Sequence, residues 1–304
     1  MDRTRTPQSG IFAEGDRHHG FVEFDVVRSG GPVAADAALG EALAGLVTTA
    51  GESPWHGVVC LGSGMARELL GDDVPPGLRD FGGVGKGDRH APATQHDLMI
   101  WIHGPDSDVV FDGMRDSVRS LGGSAVVVGE TAGFVYHDSR DLSGFIDGTE
   151  NPALDEAPGV AVVAGGPGGG GSLVFSQRWI HDFDAIESMP VPEQEKVIGR
   201  TKADSVELDP LPPDSHVARM VVADDSGEEI EIYRRSVPYG STTEAGLYFL
   251  AFTDDLDKID LMLRRMYGLV DGPSDRLLEW SRPVSGAYWF APSVESMEAL
   301  GSRT

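Results

Sequence analysis

The segment GFIDGTENP at positions 144–152 places one carboxylate, Asp147, inside a turn that core packing does not require. Gly144 and Gly148 let the backbone bend sharply and approach a flat ligand closely, and the step from Asn151 to Pro152 ends the turn. Downstream, SHVARM at 215–220 carries His216, and eighteen positions later Arg234 lies in IYRRSVPYG at 232–240. The three side chains form a chemical set. A neutral imidazole ligates a metal or a haem iron, an arginine holds or polarises an anionic oxygen, and a carboxylate moves a proton between two oxygens. Activation of a peroxide at iron needs all three functions. Residue type alone leaves plainer readings open: an ordinary surface turn around Asp147 and a structural histidine at position 216.

The ordered motifs resemble those of the dye-decolorising peroxidases, in particular the shorter bacterial members. The likeness begins at QSGIF (8–12), continues through PAT (92–94), HDL (96–98), GFIDGTENP, His216 and RRSVPYG (234–240), and ends with RPVSG (282–286) and FAPS (290–293). The resemblance implies haem b as cofactor, with His216 as the proximal iron ligand and Asp147 and Arg234 on the distal side. It implies reduction of hydrogen peroxide and oxidation of one-electron donors, such as dyes and phenols, through a ferryl-porphyrin radical. Ser236 corresponds to a distal-pocket polar position at which asparagine is also found. Gly148, Thr149 and Glu150 are expected along the haem edge, and Arg200 against a propionate, because a guanidinium suits a carboxylate. An acid behind the other ring nitrogen of His216 would raise its electron donation, and Glu279 is the expected one. Arg235 faces away from Arg234 if the segment is extended. Tyr233, Tyr248, Trp280, Tyr288 and Trp289 are the candidates for carrying electrons from bulky donors, although aromatic residues in strands are ordinarily core. The rival from another class is a haem-binding or haem-handling protein with slight peroxidase turnover.

The elements that must position these residues repeat one pattern. Strands at 20–27 and 57–61, a helix at 36–50, a strand at 97–103, a helix at 108–121 and a strand at 124–128 give the ferredoxin-like order strand, helix, strand, strand, helix, strand. The second half repeats it less cleanly. Strands are expected at 172–180, 216–223, 247–252 and 286–290, with a helical region at 182–199 broken at Pro190 and Pro192, a helix at 256–267 and an extra extended segment at 229–234. The fold class is therefore α+β, with duplicated ferredoxin-like domains at 1–150 and 151–304. Helices would cover a pair of antiparallel sheets with a site between them, as the family's duplicated fold also implies. The haem site belongs to the second half, near the junction. The linker is expected at 151–171, where GGPGGGGS (165–172) lacks the Gly-Lys-Ser/Thr ending of a phosphate loop and reads as a flexible surface connection.

Composition agrees with a globular chain large enough for one large or two medium domains: 304 residues, 40% hydrophobic and 24% charged. Against 49 Asp and Glu stand 24 Lys and Arg, a net charge of -25 that sets nucleic-acid partners aside and favours cationic over anionic substrates. No apolar run reaches the ~20 residues of a membrane span. The first eight residues carry no hydrophobic stretch of a secretory signal, so a cytoplasmic protein with no membrane partner is expected, and a homo-oligomer. After the last expected element the C-terminus offers no long extension for docking into a larger shell. Cys60 is the only cysteine, which excludes an internal disulfide or a multi-cysteine metal site, and its apolar neighbours mark it as a small buried hydrophobe rather than an iron ligand. The other histidines show no metal-cluster spacing.

Overall fold

The computed structural model describes residues 5–28, 37–223, 227 and 229–302. The first half comprises β1 (His18–Val26), α1 (Ala37–Glu52), β2 (His56–Leu61), α2 (Ser63–Leu70), a small hairpin of β3 (Val84–Lys86) and β4 (Arg89–Ala91), β5 (Leu98–Gly104), α3 (Ser107–Leu121) and β6 (Ala125–Phe134). Residue 36, the expected start of the first helix, lies outside the described residues. The second half comprises α4 (Ala157–Ala161), β7 (Ser172–His181), α5 (Phe183–Ser188), α6 (Val191–Ile198), α7 (His216–Met220), β8 (Tyr233–Arg234), β9 (Val237–Gly240), β10 (Ala245–Thr253), α8 (Leu256–Met266), β11 (Ser281–Pro283), β12 (Ala287–Ala291) and α9 (Val294–Gly301).

Within each half the strands lie in the same antiparallel order. It is β6-β1-β5-β2 in the first and β12-β7-β10-β9 in the second, so the fourth strand neighbours the first and the third neighbours the second. This is the duplicated ferredoxin-like α+β arrangement. The two sets join at both edges, through Phe290 opposite Leu61 and Gly133 opposite Tyr239, and the sheet closes on itself. Alternation along the strands then separates an inside from an outside. Phe21, Trp101, Tyr248, Phe252 and Trp289 point inward and are almost wholly buried, whereas Val22, Phe24, Ile100 and Ile102 point outward beneath the helices. The space between the halves is thus packed core. Arg234 and helix α7, two of the elements expected to form a site between the sheets, lie outside this packed core, on the side of the second half that its helices cover.

Two further expectations are corrected. Residues 216–220 form helix α7 and not a strand; the repeat's second strand comes from the extended segment that ends in β8 and continues into β9. Ser215 starts the helix, with Oγ accepting from the Ala218 N–H at 3.4 Å. Arg265 of α8 donates to the carbonyls of Ala218 and Val221 at 3.1 and 2.7 Å and closes its other end. Five residues are too few to be helical alone, so these tertiary bonds override the strand-like pattern. The glycine-rich stretch is likewise not a flexible connection, because residues 168–171 are buried. A Cβ on Gly170, at φ +77°, would meet Arg5 at 2.5 Å, and one on Gly171 would meet Phe290 at 2.5 Å.

Buried Cys60 has its thiol pushed up by burial, against a thiolate ligand. Arg235 turns inward, as alternation requires, and donates to the carbonyls of Ile11 and Ala13 at 2.7 and 2.5 Å with its guanidinium over Trp101. Beside it, His19 accepts from the Trp101 indole N–H at 3.2 Å and is therefore neutral. Burial, followed by the charges of His103 and Arg235, holds it well below its ordinary value. The unfolded chain takes up this proton near pH ~6.5 while the folded chain does not, so stability falls as pH falls below that value. Urea unfolding between pH 7.5 and 5.5 is expected to show this contribution as about 1.4 kcal/mol per pH unit below ~6.5, and His19→Gln is expected to remove it.

Candidate active site

The turn that carries Asp147 is held from both sides. The Asp147 N–H donates to the Ser139 carbonyl at 3.0 Å, and its Oδ1 accepts from the Gly148 N–H at 2.7 Å. Gly148 sits at φ +79°, where a side chain is disfavoured, and the Asn151 N–H closes the turn onto the Gly148 carbonyl at 3.2 Å. Arg140 braces the approach by donating to the carbonyls of Gly144 and Lys202 at 2.9 and 2.8 Å. Gly148, Thr149 and Glu150 are exposed. Glu150 forms an ion pair with Arg200, whose guanidinium also lies 3.7 Å from Glu207 and donates to the Ser205 carbonyl at 3.0 Å. The Nε of Arg200 is buried without a partner, so this side chain retains a donor.

Arg234 lies on β8 opposite Ala251 of β10. Its neighbour Tyr233 is inside the barrel, so Arg234 points outward onto the face that carries Leu247, Phe249 and Ala251. Among the described residues its guanidinium makes no hydrogen bond or ion pair, while its backbone N–H and carbonyl both bond to the side chain of Asn151. Asp147 and Arg234 are thereby brought onto one tethered segment. Ser236 follows on the same face, and its Oγ accepts from the Leu250 N–H at 3.3 Å.

His216 is the first residue of α7, with its side chain 29% exposed. Its Nδ1 lies 2.7 Å from Oδ2 of Asp275, which has no exposed surface. The carboxylate accepts a hydrogen bond from Nδ1–H, which leaves the lone pair on Nε2 without a partner among the described residues. Asp275 replaces the expected Glu279, which instead pairs with Arg276 at 2.9 Å. The reason is the short 3-10 turn Arg276–Glu279, which Asp275 caps by accepting from the Leu277 N–H at 2.7 Å, so that one oxygen anchors the turn and the other faces His216. An Asp before Arg-Leu-Leu fits a cap residue, but nothing local names His216 as its partner.

Around these groups, Met220 of α7, Met262 of α8, and Leu247 and Phe249 of β10 are apolar and only partly covered. No group of three or more His, Cys, Asp or Glu among the described residues could hold a metal ion. A metal bound by His216 must therefore bring most of its own ligands, and a lone imidazole with Nε2 left open fits an iron macrocycle. The five aromatic candidates for electron transfer, Tyr233, Tyr248, Trp280, Tyr288 and Trp289, are all buried.

A carboxylate-backed imidazole, a guanidinium with no partner among the described residues and a turn carboxylate on an α+β fold are compatible with a peroxidase, and comparison with known proteins gives the family. Residues 8–135 match the Dyp-type peroxidase N-terminal domain and residues 138–296 the Dyp-type peroxidase C-terminal domain. A dye-decolorizing peroxidase of Mycolicibacterium paratuberculosis is 37% identical over 286 residues, covering 90% of this chain and 80% of that protein. The structure of DyPB from Rhodococcus jostii RHA1 superposes with a TM-score of 0.89 at 34% identity over 98% of both chains, and a variant of that protein is known in complex with heme. The encapsulated DyP-type peroxidase from Mycobacterium smegmatis gives a TM-score of 0.88 at 32% identity over 97% of this chain and 98% of its own. The chain belongs to the Dyp-type peroxidase family and is a haem-dependent peroxidase.

Proposed function

We propose that Nε2 of His216 would ligate the iron of haem b and that Asp147 and Arg234 act on the hydrogen peroxide it reduces. When bound, haem supplies the redox centre that takes electrons from a one-electron donor and passes them to the peroxide. Asp147 takes the proton from the inner peroxide oxygen and returns it to the outer one, so that water leaves. Arg234, half-buried and without a partner among the described residues, offsets the negative charge that grows as the O–O bond lengthens. Ser236 adjusts the balance between them from the same face. Gly148, Thr149 and Glu150 border the haem, and Arg200 exchanges part of its carboxylate pairing for a propionate. A division of the chain at 150/151 assigns the acid turn to the first half and His216 and Arg234 to the second.

The observation that carries this reading is the bond from His216 to buried Asp275, which fixes the ring and leaves Nε2 for iron. The test is the absorption spectrum of the haem-reconstituted ferric protein, followed by stopped-flow mixing with one equivalent of peroxide. A histidine-ligated spectrum that changes within milliseconds supports the reading. One that stays unchanged indicates a haem-handling protein, and absence of haem uptake removes the His216 assignment.

The tuning role of Asp275 has its own test. Asp275→Asn supplies one acceptor oxygen where the Leu277 N–H and His216 Nδ1–H need two. Haem affinity or peroxide reactivity is expected to fall about 10–100-fold, as for other supports of a metal ligand. Glu279→Gln is expected to change neither.

Partners and location extend the same reading. No helix among the described residues is long and apolar enough to cross a membrane, and a cytoplasmic location is part of the proposal. A homo-oligomer is supported by β6, where Val126, Val127 and Val128 are exposed and the strand meets β9 only at Gly133. The charge of -25 favours cationic donors.

A further inference from the structure

We infer that Asn151 is the positioning residue that sets the guanidinium of Arg234 against the carboxylate of Asp147. This rests on the assignment of those two side chains to peroxide activation. β8 is the last strand of the sheet and pairs only with β10. The Arg235 N–H donates to the Leu250 carbonyl at 2.8 Å, so both backbone groups of Arg234 point the other way, off the free edge. Asn151 meets both. Its Oδ1 accepts from the Arg234 N–H at 2.8 Å, and its Nδ2 donates to the Arg234 carbonyl at 2.9 Å.

A side-chain amide is suited to this task because it holds an acceptor and a donor in one plane, and the two bonds require this orientation of the amide. Asn151 thus stands in for one residue of a missing strand. Its backbone N–H also closes the turn onto Gly148, the residue after Asp147. The path from Arg234 to the acid is therefore one side chain and one tight turn. Thr149 and Glu150, in the same turn, are exposed and lack this tether to β8. Catalytic geometry tolerates little error, since a misplacement of about 1 Å costs about 100-fold.

The experiment uses the haem-loaded protein and compares Asn151→Ala with Asp147→Ala and Arg234→Leu. Two measurements are made on each variant: amide hydrogen exchange over the peptide containing Arg234, and the stopped-flow rate with peroxide at matched haem content. For Asn151→Ala, faster exchange at Arg234 is expected, with a rate lowered about 10–100-fold and an unchanged ferric spectrum. In an Arg234→Leu background, Asn151→Ala is expected to add less than about 2-fold, because its effect passes through Arg234. Asn151→Asp keeps the acceptor and loses the donor, so a smaller loss is expected, and it carries the test if the alanine variant folds poorly. If Asp147→Ala and Arg234→Leu react at the parental rate, the distal assignment is what fails. If those two are slow but Asn151→Ala reacts normally despite faster exchange, or adds its full loss to Arg234→Leu, the positioning role is overturned.

Discussion

His216→Ala is expected to lose haem retention and, with it, peroxidase activity. Cys60 offers no thiolate in its place, being buried with its thiol pushed up, and His181 has both ring nitrogens engaged by Ser281 and Asp141. Loss of affinity should exceed the roughly 100-fold typical of removing a mere support of a ligand. A second effect runs alongside. Asp275 has no exposed surface and balances its charge on the His216 Nδ1–H and the Leu277 N–H, so truncating His216 leaves a buried carboxylate short of a partner. Losing one hydrogen bond to a carboxylate costs about 1.5–3 kcal/mol. Ligand loss and destabilisation are separable, because Asp275→Leu in the same chain removes the stranded charge while leaving the iron without its ligand. Haem bound per chain and urea unfolding should therefore part company in the double variant, with stability recovered and haem still absent. Parental haem content and an unchanged spectrum in His216→Ala would remove it as the ligand.

Why Asp147, His216 and Arg234 could be proposed from the sequence but Asp275 and Asn151 could not follows from the reach of each signal. The glycines and Asn-Pro step mark a sharp turn around Asp147 but only the family resemblance lifts it and His216 above plainer readings, whereas the alternation that sends Arg234 outward and Arg235 inward is written in the neighbouring residues. The bond between His216 and Asp275 spans 59 positions, and the one between Asn151 and Arg234 spans 83. No local pattern encodes either. Glu279 was the wrong acid because spacing along a chain does not reveal which oxygen a turn points inward. The ferredoxin-like order was readable in the first half, where β1, β2, β5 and β6 alternate with long helices. It blurred in the second because α7 has only five residues, held by Arg265 from a distant helix, and β8 has only two. Closure of the sheet rests on single residue pairs, Gly133 with Tyr239 and Phe290 with Leu61, which leave no periodic trace.

Arg234→Leu is expected to slow the reaction with peroxide by about 100- to 1,000-fold, the usual cost of removing one donor from developing negative charge. Leucine occupies similar space beside Ala251, and the Asn151 bonds reach only the backbone, so β8 and the acid turn should keep their places. Asp147→Ala removes the proton carrier and is expected to cost about 100- to 10,000-fold. Its Oδ1 is engaged by the Gly148 N–H, which leaves the second oxygen for the peroxide. If the two side chains serve one event, with the proton moving as the O–O bond lengthens, their losses are not additive. The double variant should then be little slower than the slower single one. Second-order rates from stopped-flow absorbance, measured over a range of peroxide concentrations at equal haem content, decide this. Losses that multiply would mean that Asp147 and Arg234 act in separate steps, and parental rates in both single variants would move the peroxide chemistry to other residues.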